Sequence, residues 1–195
     1  MRANLCSVIF LVSWISARQL FDRIVNGQPA TQGQFPNQVS WCYEILYDNE
    51  TICHTLCGGT ILNETTIITA AHCCDNDWVD HPNTKIVAGE LDSLNTSGLE
   101  QVRMIKNLTI HPNYNASTSP VFQHDICLLT LDSPLKFDEN VKRINFDLKD
   151  PVVDTVCQVS GWGGISVSIQ KYAKIIKYIF MDNFKLLPTH LIFIS

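Results

Sequence analysis

The hydrophobic residues between positions 24 and 164 occur in short runs, and turn-forming residues separate each run from the next. The runs lie at 39–45, 59–62, 66–70, 85–88, 102–110, 126–131 and 152–159. Short strands bounded by turn signals at this spacing are typical of an all-β barrel or sandwich. The sequence therefore predicts an all-β fold.

Two of these runs carry more specific expectations. In 101–110 the apolar residues alternate with polar ones, as a half-buried strand requires; they are Val102, Met104, Leu108 and Ile110. The segment 126–129 is continuously apolar, which predicts a strand that is buried on both faces.

Composition restricts the class of protein further. The chain has 195 residues and is 46% hydrophobic, which is enough for one good-sized core or two small barrels packed together. Its net charge of -5 comes from 19 acidic and 14 basic residues without a basic cluster. The sequence therefore carries no electrostatic footprint for nucleic acid or for an anionic membrane.

The first residues resemble an export signal. Arg2 is a short positive region, residues 5–15 are apolar, and Ser16 and Ala17 offer small side chains for cleavage. A buried N-terminal helix is the alternative, but the apolar stretch is short and polar residues follow at once. We expect a secreted, extracellular protein.

The cysteines agree with an oxidising compartment. The sequence has eight cysteines and no C-x-x-C spacing, so disulfides are favoured over a metal site. Five Asn-x-Ser/Thr sequons are compatible with an exported glycoprotein; they begin at Asn49, Asn63, Asn95, Asn107 and Asn115.

Two polar residues lie where chemistry is expected. His72 follows a predicted strand in Thr69-Ala70-Ala71-His72-Cys73. Asp125 begins the apolar segment Asp125-Ile126-Cys127-Leu128-Leu129, where a charge without a partner would cost several kcal/mol. Asp125 therefore needs a hydrogen-bond donor, whereas His72 taken alone fits a buried structural imidazole equally well.

Motifs in a fixed order make these residues specific. They are Ile24-Val25-Asn26-Gly27 after Arg23, then Cys57-Gly58-Gly59-Thr60, the two segments around His72 and Asp125, and Gly161-Trp162-Gly163. Together they resemble the chymotrypsin and trypsin family of serine proteases, from about Ile24 to Gly164. The resemblance implies a trypsin-like double β-barrel, of which the first barrel and only the start of the second are present.

The resemblance also implies roles for single residues. His72 would be the general base, and Asp125 would hold its tautomer and stabilise the imidazolium. Cleavage after Arg23 by an activating protease would free the amine of Ile24, and the substrate would be a protein or peptide. No cofactor is required.

Three disulfides follow partly from the resemblance and partly from spacing. Cys57 and Cys73 match the family pair that clamps the histidine loop. Cys42 and Cys53 are eleven residues apart and could close a long hairpin. Cys74 and Cys127 each follow a site residue by two positions, so they either bond or remain buried free thiols. With Cys6 lost in the signal, Cys157 is left unpaired, because its family partner lies in the second half of the domain.

An acidic loop matches the place where some family members bind calcium. Its oxygen donors are Glu90, Asp92, Asn95 and Glu100, and such hard ligands suit Ca²⁺. Ser97 stands at the position of one family carboxylate. A solvated acidic loop is therefore favoured over a weak calcium site.

The glycine-rich loop around a nucleophilic serine has no match in the sequence. The last glycine is Gly164, and Ser166, Ser168 and Ser195 have neither a glycine neighbour nor a preceding Asp for the Ile24 amine. In this family such a loop supplies the oxyanion hole. We therefore expect the chain as given to be inactive.

The sequence after Gly164 changes character and contains no glycine or cysteine. Apolar residues at helical spacing allow an amphipathic helix with lysines on its other face; they are Ile165, Ile169, Tyr172, Ala173, Ile176, Ile179 and Phe180. A cationic helix can lie on a membrane, but an unrelated terminus without selected structure is favoured. The predicted organisation is a signal peptide at 1–17, an activation peptide at 18–23, a partial protease domain at 24–164 and a divergent tail at 165–195.

Two functions remain open at this point. The first is a secreted serine endopeptidase whose sequence departs from the family after Gly164. The second is a non-catalytic secreted homologue that acts as a binding or decoy module. The retained His72 and Asp125 favour the first.

Overall fold

A computed structural model describes residues 27–47, 50–75, 84–117, 123–145, 157–163 and 177–181. The described chain is made of strands and one short helix, which confirms the all-β prediction. In chain order these are β1 (Gln28–Pro29), β2 (Gln38–Tyr47), β3 (Glu50–Asn63), β4 (Thr66–Thr69), α1 (Ala71–Cys74), β5 (Thr84–Ala88), β6 (Gln101–Arg103), β7 (Ile105–Ile110), β8 (Cys127–Leu131), β9 (Cys157–Gly161) and β10 (Lys177–Met181).

Seven strands form one antiparallel sheet in the order β6-β5-β2-β3-β4-β8-β7. The strands at the two ends of this order, β6 and β7, are separated along the chain by Met104 alone. The sheet must therefore curl until its ends meet, as in a barrel. Its inner face holds the core, whose largest fully buried apolar side chains are Trp41, Ile61, Ile67, Ile86, Leu129, Val39 and Val141.

The core leaves no room for a side chain at Gly59 on β3. A Cβ atom there would lie 2.7 Å from Cγ2 of Ile67 and 3.0 Å from Cγ2 of Val39. Both distances are shorter than normal carbon contacts, which begin near 3.5 Å. This close approach explains why the second glycine of the Cys57-Gly58-Gly59-Thr60 motif, Gly59, carries no side chain.

The prediction of one alternating strand over 101–110 is wrong in part. Val102 and Met104 are exposed, whereas Leu108 and Ile110 pack against the core as predicted. The register of β7 against β8 shifts between Ile105 and Asn107. An extra residue in a strand moves the following side chains to the other face, so the inward positions change parity at this bulge.

The prediction that 126–129 is buried on both faces is also wrong. Cys127 and Leu129 are fully buried, but Leu128 between them is 37% exposed. β8 belongs to a curled sheet with one inward face, so successive side chains point alternately to the core and outwards.

A second, three-stranded sheet has the order β1-β10-β9. Tyr178 of β10 is paired with Gln28 of β1 and with Ser160 of β9. The helix that the spacing allowed is therefore wrong at Ile179 and Phe180, which lie on a strand, and the favoured alternative of a terminus without structure is wrong for Lys177–Met181. Pairing with two neighbouring strands overrides the helical spacing of apolar residues. Residues 165–176 lie outside the described part, as do residues 1–26 with the expected signal. Within the described ranges, no helix is long and apolar enough to cross a membrane.

Candidate active site

The pairing of β4 with β8 brings His72 and Asp125 together. The two strands are antiparallel, and Thr69 at the end of β4 lies opposite Cys127 at the start of β8. The chain that leaves β4 and the chain that enters β8 therefore meet at one edge of the sheet. His72 is three residues beyond Thr69, and Asp125 is two residues before Cys127.

His72 is carried by α1, a single helical turn directly after β4. Ala70 and Ala71 are fully buried, which anchors the start of the turn in the core. Asp75 N donates a 2.8 Å hydrogen bond to Ala71 O at its end. Among the side chains that the structure describes, none caps α1 at its N-terminus. A turn this short is not stable by itself, so its position depends on tertiary contacts.

Asp125 receives two hydrogen bonds from the same residue. The backbone N–H of His72 donates to Asp125 Oδ1 over 2.8 Å, and His72 Nδ1 lies 2.7 Å from Asp125 Oδ2. The Asp125 side chain is completely buried, whereas the His72 side chain is 30% exposed. We expected a hydrogen-bond donor for the buried Asp125, and the structure shows that this donor is His72.

This geometry fixes the chemistry that His72 can perform. An ionised carboxylate only accepts hydrogen bonds, so His72 Nδ1 carries the proton in the contact with Asp125. Nε2 on the opposite edge of the ring is then the nitrogen that carries the lone pair of the imidazole. A lone pair on an oriented, half-exposed imidazole can take a proton from a hydroxyl group at its edge.

Three residues beside the pair were not singled out from the sequence. Burial, followed by the negative charges of Asp125 and Asp75, raises the pKa of the Tyr114 phenol to about 12, so Tyr114 remains a neutral neighbour of the site. The His124 and His111 rings are stacked, with centroids 4.8 Å apart. For His124, its position directly before Asp125 in the sequence could have indicated that it lies at the site. The sequence contains no such indication for Tyr114 or His111.

The segment that carries Asp125 is an irregular turn. His124 has φ of 58°, in the left-handed region that residues with a Cβ rarely adopt. Ile126 N donates to His124 O over 2.8 Å, and His111 N donates to Ile126 O over 2.9 Å. The turn is therefore held from both sides where it enters β8.

The structure forms all three disulfides that the sequence suggested. Cys42 is bonded to Cys53, Cys57 to Cys73, and Cys74 to Cys127. For the last pair the alternative of two buried free thiols is wrong. Cys157 is the first residue of β9, and its side chain lies outside the described part.

The described residues contain one group of three side chains with metal-ligand atoms within 4.8 Å of each other, namely Cys57, His72 and Cys73. The two cysteines are joined in a disulfide, so neither offers the thiolate that a metal needs. This group is structural and not a metal centre.

The acidic loop does not gather its donors around one point. Asp92 accepts hydrogen bonds from Leu94 N and Asn95 Nδ2, and Glu100 accepts bonds from the backbone of Ser97 and Gly98. Within the described residues no three carboxylates of this loop approach each other to within 4.8 Å. Asp92 and Glu100 thus accept hydrogen bonds from the loop itself, and both the solvated loop and the weak calcium site stay predictions.

One carboxylate of this loop has an unusual environment. Glu90 is 9% exposed, and among the described residues its Oε2 has no hydrogen-bond partner. Burial raises the pKa of the Glu90 carboxyl from 4.5 to about 7. The sequence gave no signal that Glu90 is buried whereas Glu100 is much more exposed.

The remaining expected site residues lie outside the described ranges. They are Arg23 and Ile24 of the expected cleavage site and the serines Ser166, Ser168 and Ser195.

Comparison with known proteins decides the family. The family model for trypsin matches residues 24–178, which extends into β10. The chain belongs to the trypsin family. The resemblance found in the motifs is thereby confirmed, and it covers the curled sheet, the His72 and Asp125 pair and part of the three-stranded sheet.

Two relatives are matched over about half of their own length. Trypsin zeta of Drosophila melanogaster is 34% identical over 145 residues, which are 74% of this chain and 50% of that protein. Coagulation factor IX of Oryctolagus cuniculus is 34% identical over 164 residues, 80% of this chain and 55% of that protein. The chain spans about half the length of these relatives.

A solved structure supports the fold independently. Neuropsin, a serine protease expressed in the limbic system of mouse brain, superposes with a TM-score of 0.65 at 23% identity. The match covers 82% of this chain and 64% of that one. The trypsin-like fold is thus shown for the described strands.

Proposed function

We propose that His72 and Asp125 are the general base and the orienting carboxylate of a secreted serine endopeptidase, which cleaves proteins or peptides after activation at Arg23. The observation that carries this proposal is the 2.7 Å contact between His72 Nδ1 and the fully buried Asp125. Within a trypsin-family chain this contact sets the tautomer that proton abstraction requires.

Secretion is supported by the disulfides and by the first residues of the sequence. The chain has three disulfides, and disulfides form and persist mainly in oxidising compartments. Arg2 and the apolar stretch 5–15 have the composition of an export signal. Exposed sequons at Asn63, Asn95 and Asn107 are compatible with glycosylation in the same compartment.

We further propose that the 195-residue chain does not hydrolyse peptide bonds itself. A serine nucleophile needs backbone N–H groups aimed at the oxyanion, and glycine-rich loops provide them. No serine after Gly164 has such surroundings in the sequence. The activity then belongs to a product of the same gene in which the family sequence continues.

A fluorophosphonate probe, which labels activated serines, tests both statements. The product of the full-length transcript is secreted from a eukaryotic host, cleaved after Arg23, and compared with the 195-residue chain. We expect labelling of the longer product only after cleavage, its loss in the His72→Ala variant, and no labelling of the 195-residue chain. Labelling that survives His72→Ala would contradict the assigned role.

A second function is favoured by one observation. β10, which the family match covers only as far as Tyr178, pairs with both β1 and β9. A strand at this place supports a segment that folds together with the domain, as a non-catalytic homologue that binds a partner would require. Full-length transcripts that all encode the same terminus, with no labelled product, would decide for this function.

A further inference from the structure

Adjacent cysteines connect α1 to two different strands. Cys73 is bonded to Cys57 on β3, and Cys74 is bonded to Cys127 at the start of β8. The residue before them is His72. The single turn that carries the imidazole is thus covalently attached on both sides.

The Cys74–Cys127 bond has a particular position relative to the proposed catalytic pair. It joins the residue two positions after His72 to the residue two positions after Asp125. All other contacts across this junction are noncovalent, and the two that join His72 to Asp125 are single hydrogen bonds. The disulfide closes a small ring of chain in which the two hydrogen bonds lie.

Both halves of this junction are irregular and need such a restraint. α1 is four residues long and lacks a side-chain N-cap. Asp125 follows the left-handed His124 and precedes the first regular residue of β8. His72 and Asp125 therefore lie outside the regular strand ladders, and their contact depends on how α1 and the turn at His124 are held relative to each other.

We propose that Cys74 and Cys127 are positioning residues whose disulfide holds His72 and Asp125 in contact. The proposal rests on the proposed function for its meaning in catalysis. Its physical content, a tether that suppresses local opening of the pair, concerns the chain itself. Both sulfur-bearing residues are buried, at 5% and 0% exposure, so the tether is shielded from solvent.

The test compares two disulfide deletions in the full chain. Cys74→Ala/Cys127→Ala removes the tether, and Cys42→Ala/Cys53→Ala removes the hairpin disulfide as a matched control. Amide hydrogen exchange is followed for His72, whose N–H donates to Asp125, and for the amides of β4 and β8. The exchange rate of His72 relative to these sheet amides separates local opening from global unfolding.

We expect the tether deletion to accelerate His72 exchange by at least about tenfold relative to the sheet amides. The NMR resonance of the His72 Nδ1 proton should broaden or vanish in the same variant, because its bond to Asp125 opens. The hairpin deletion should change neither quantity.

Uniform acceleration of all amides would overturn the proposal, since the disulfide would then act only on global stability. The proposal would also be overturned if the exchange rate of the His72 amide were unchanged in the tether variant. An equal acceleration of this amide in the control variant would overturn it as well. If the alanine variant does not fold, Cys74→Ala/Cys127→Val retains more core volume and is judged by the same two readouts. These two readouts do not depend on enzymatic activity. The tether proposal can therefore fail while probe labelling supports the proposed function, and the proposed function can fail while the tether proposal holds.

Discussion

Replacing Glu90 with Gln is expected to stabilise the folded chain by on the order of 3 kcal/mol at about pH 8, and by little at about pH 4. Burial raises the pKa of Glu90 from 4.5 to about 7, so the fold disfavours the charged form. A hydrogen bond from Ser40 and the charge of Lys85 oppose this shift, whereas Glu100 and Asp92 reinforce it. Lys85 is itself paired with Glu44.

The sign of the pH dependence follows from proton binding. Below pH 4.5 the carboxyl is protonated in both states, and no penalty arises. Between pH 4.5 and about 7 the unfolded chain has lost the proton and the folded chain retains it, so stability falls as pH rises. Above that window both states are ionised, and the penalty of burying the charge is complete.

Urea unfolding of wild type and Glu90→Gln from about pH 4 to pH 8 measures the difference. The solutions contain EDTA so that no divalent cation pairs with the carboxylate. Glu64→Gln, at an exposed carboxylate, is the control and should show no comparable pH dependence. A Glu90→Gln difference that is equal at both ends of the range would show that Glu90 does not bind its proton as described.

The second large effect concerns the contact between β3 and β4. Ile67→Ala should destabilise the chain by about 2–5 kcal/mol, because Ile67 is fully buried and the surrounding core cannot close the cavity. Gly59→Ala should cost about 1–3 kcal/mol for the opposite reason, since its new methyl group lies 2.7 Å from Ile67 Cγ2.

These two changes should not be additive. Ile67→Ala removes the atom that the methyl group of Gly59→Ala would meet first. The double variant should therefore lose less stability than the sum of the single variants, by at least about 0.5 kcal/mol. Urea unfolding of the four proteins gives the coupling. Additive losses would mean that Val39 and the β4 backbone, not Ile67, limit the space at Gly59.

The resemblance of the motifs to the family predicted that His72 and Asp125 meet, and the structure places the two side chains in contact. His72 follows β4 and Asp125 precedes β8. The antiparallel pairing of these two strands brings the two residues together. The disulfide at Cys74 and Cys127 could be inferred from the same contact. Motif order then identified the family, and the family match confirmed it.

The features that were missed depend on tertiary structure. The bulge after Ile105 reverses which side chains face the core, and no local pattern marks it. β10 takes strand geometry from its pairing with β1 and β9, although its apolar spacing is helical. The raised pKa of Glu90 depends on its burial, whereas Glu100 of the same loop is bonded to backbone donors.

Because Cys73 and Cys74 are adjacent, oxidative folding has to discriminate between two pairings of these cysteines with Cys57 and Cys127. Exchange of their partners would join Cys57 to Cys74 and Cys73 to Cys127, with no change in mass or in the number of bonds. Such an isomer would rotate α1 and turn the imidazole of His72 away from Asp125. A preparation can thus be fully oxidised and still contain molecules with the exchanged pairing. Partial reduction followed by stepwise alkylation of Cys73 and Cys74 would reveal them, because the linked peptides have the same mass in both isomers.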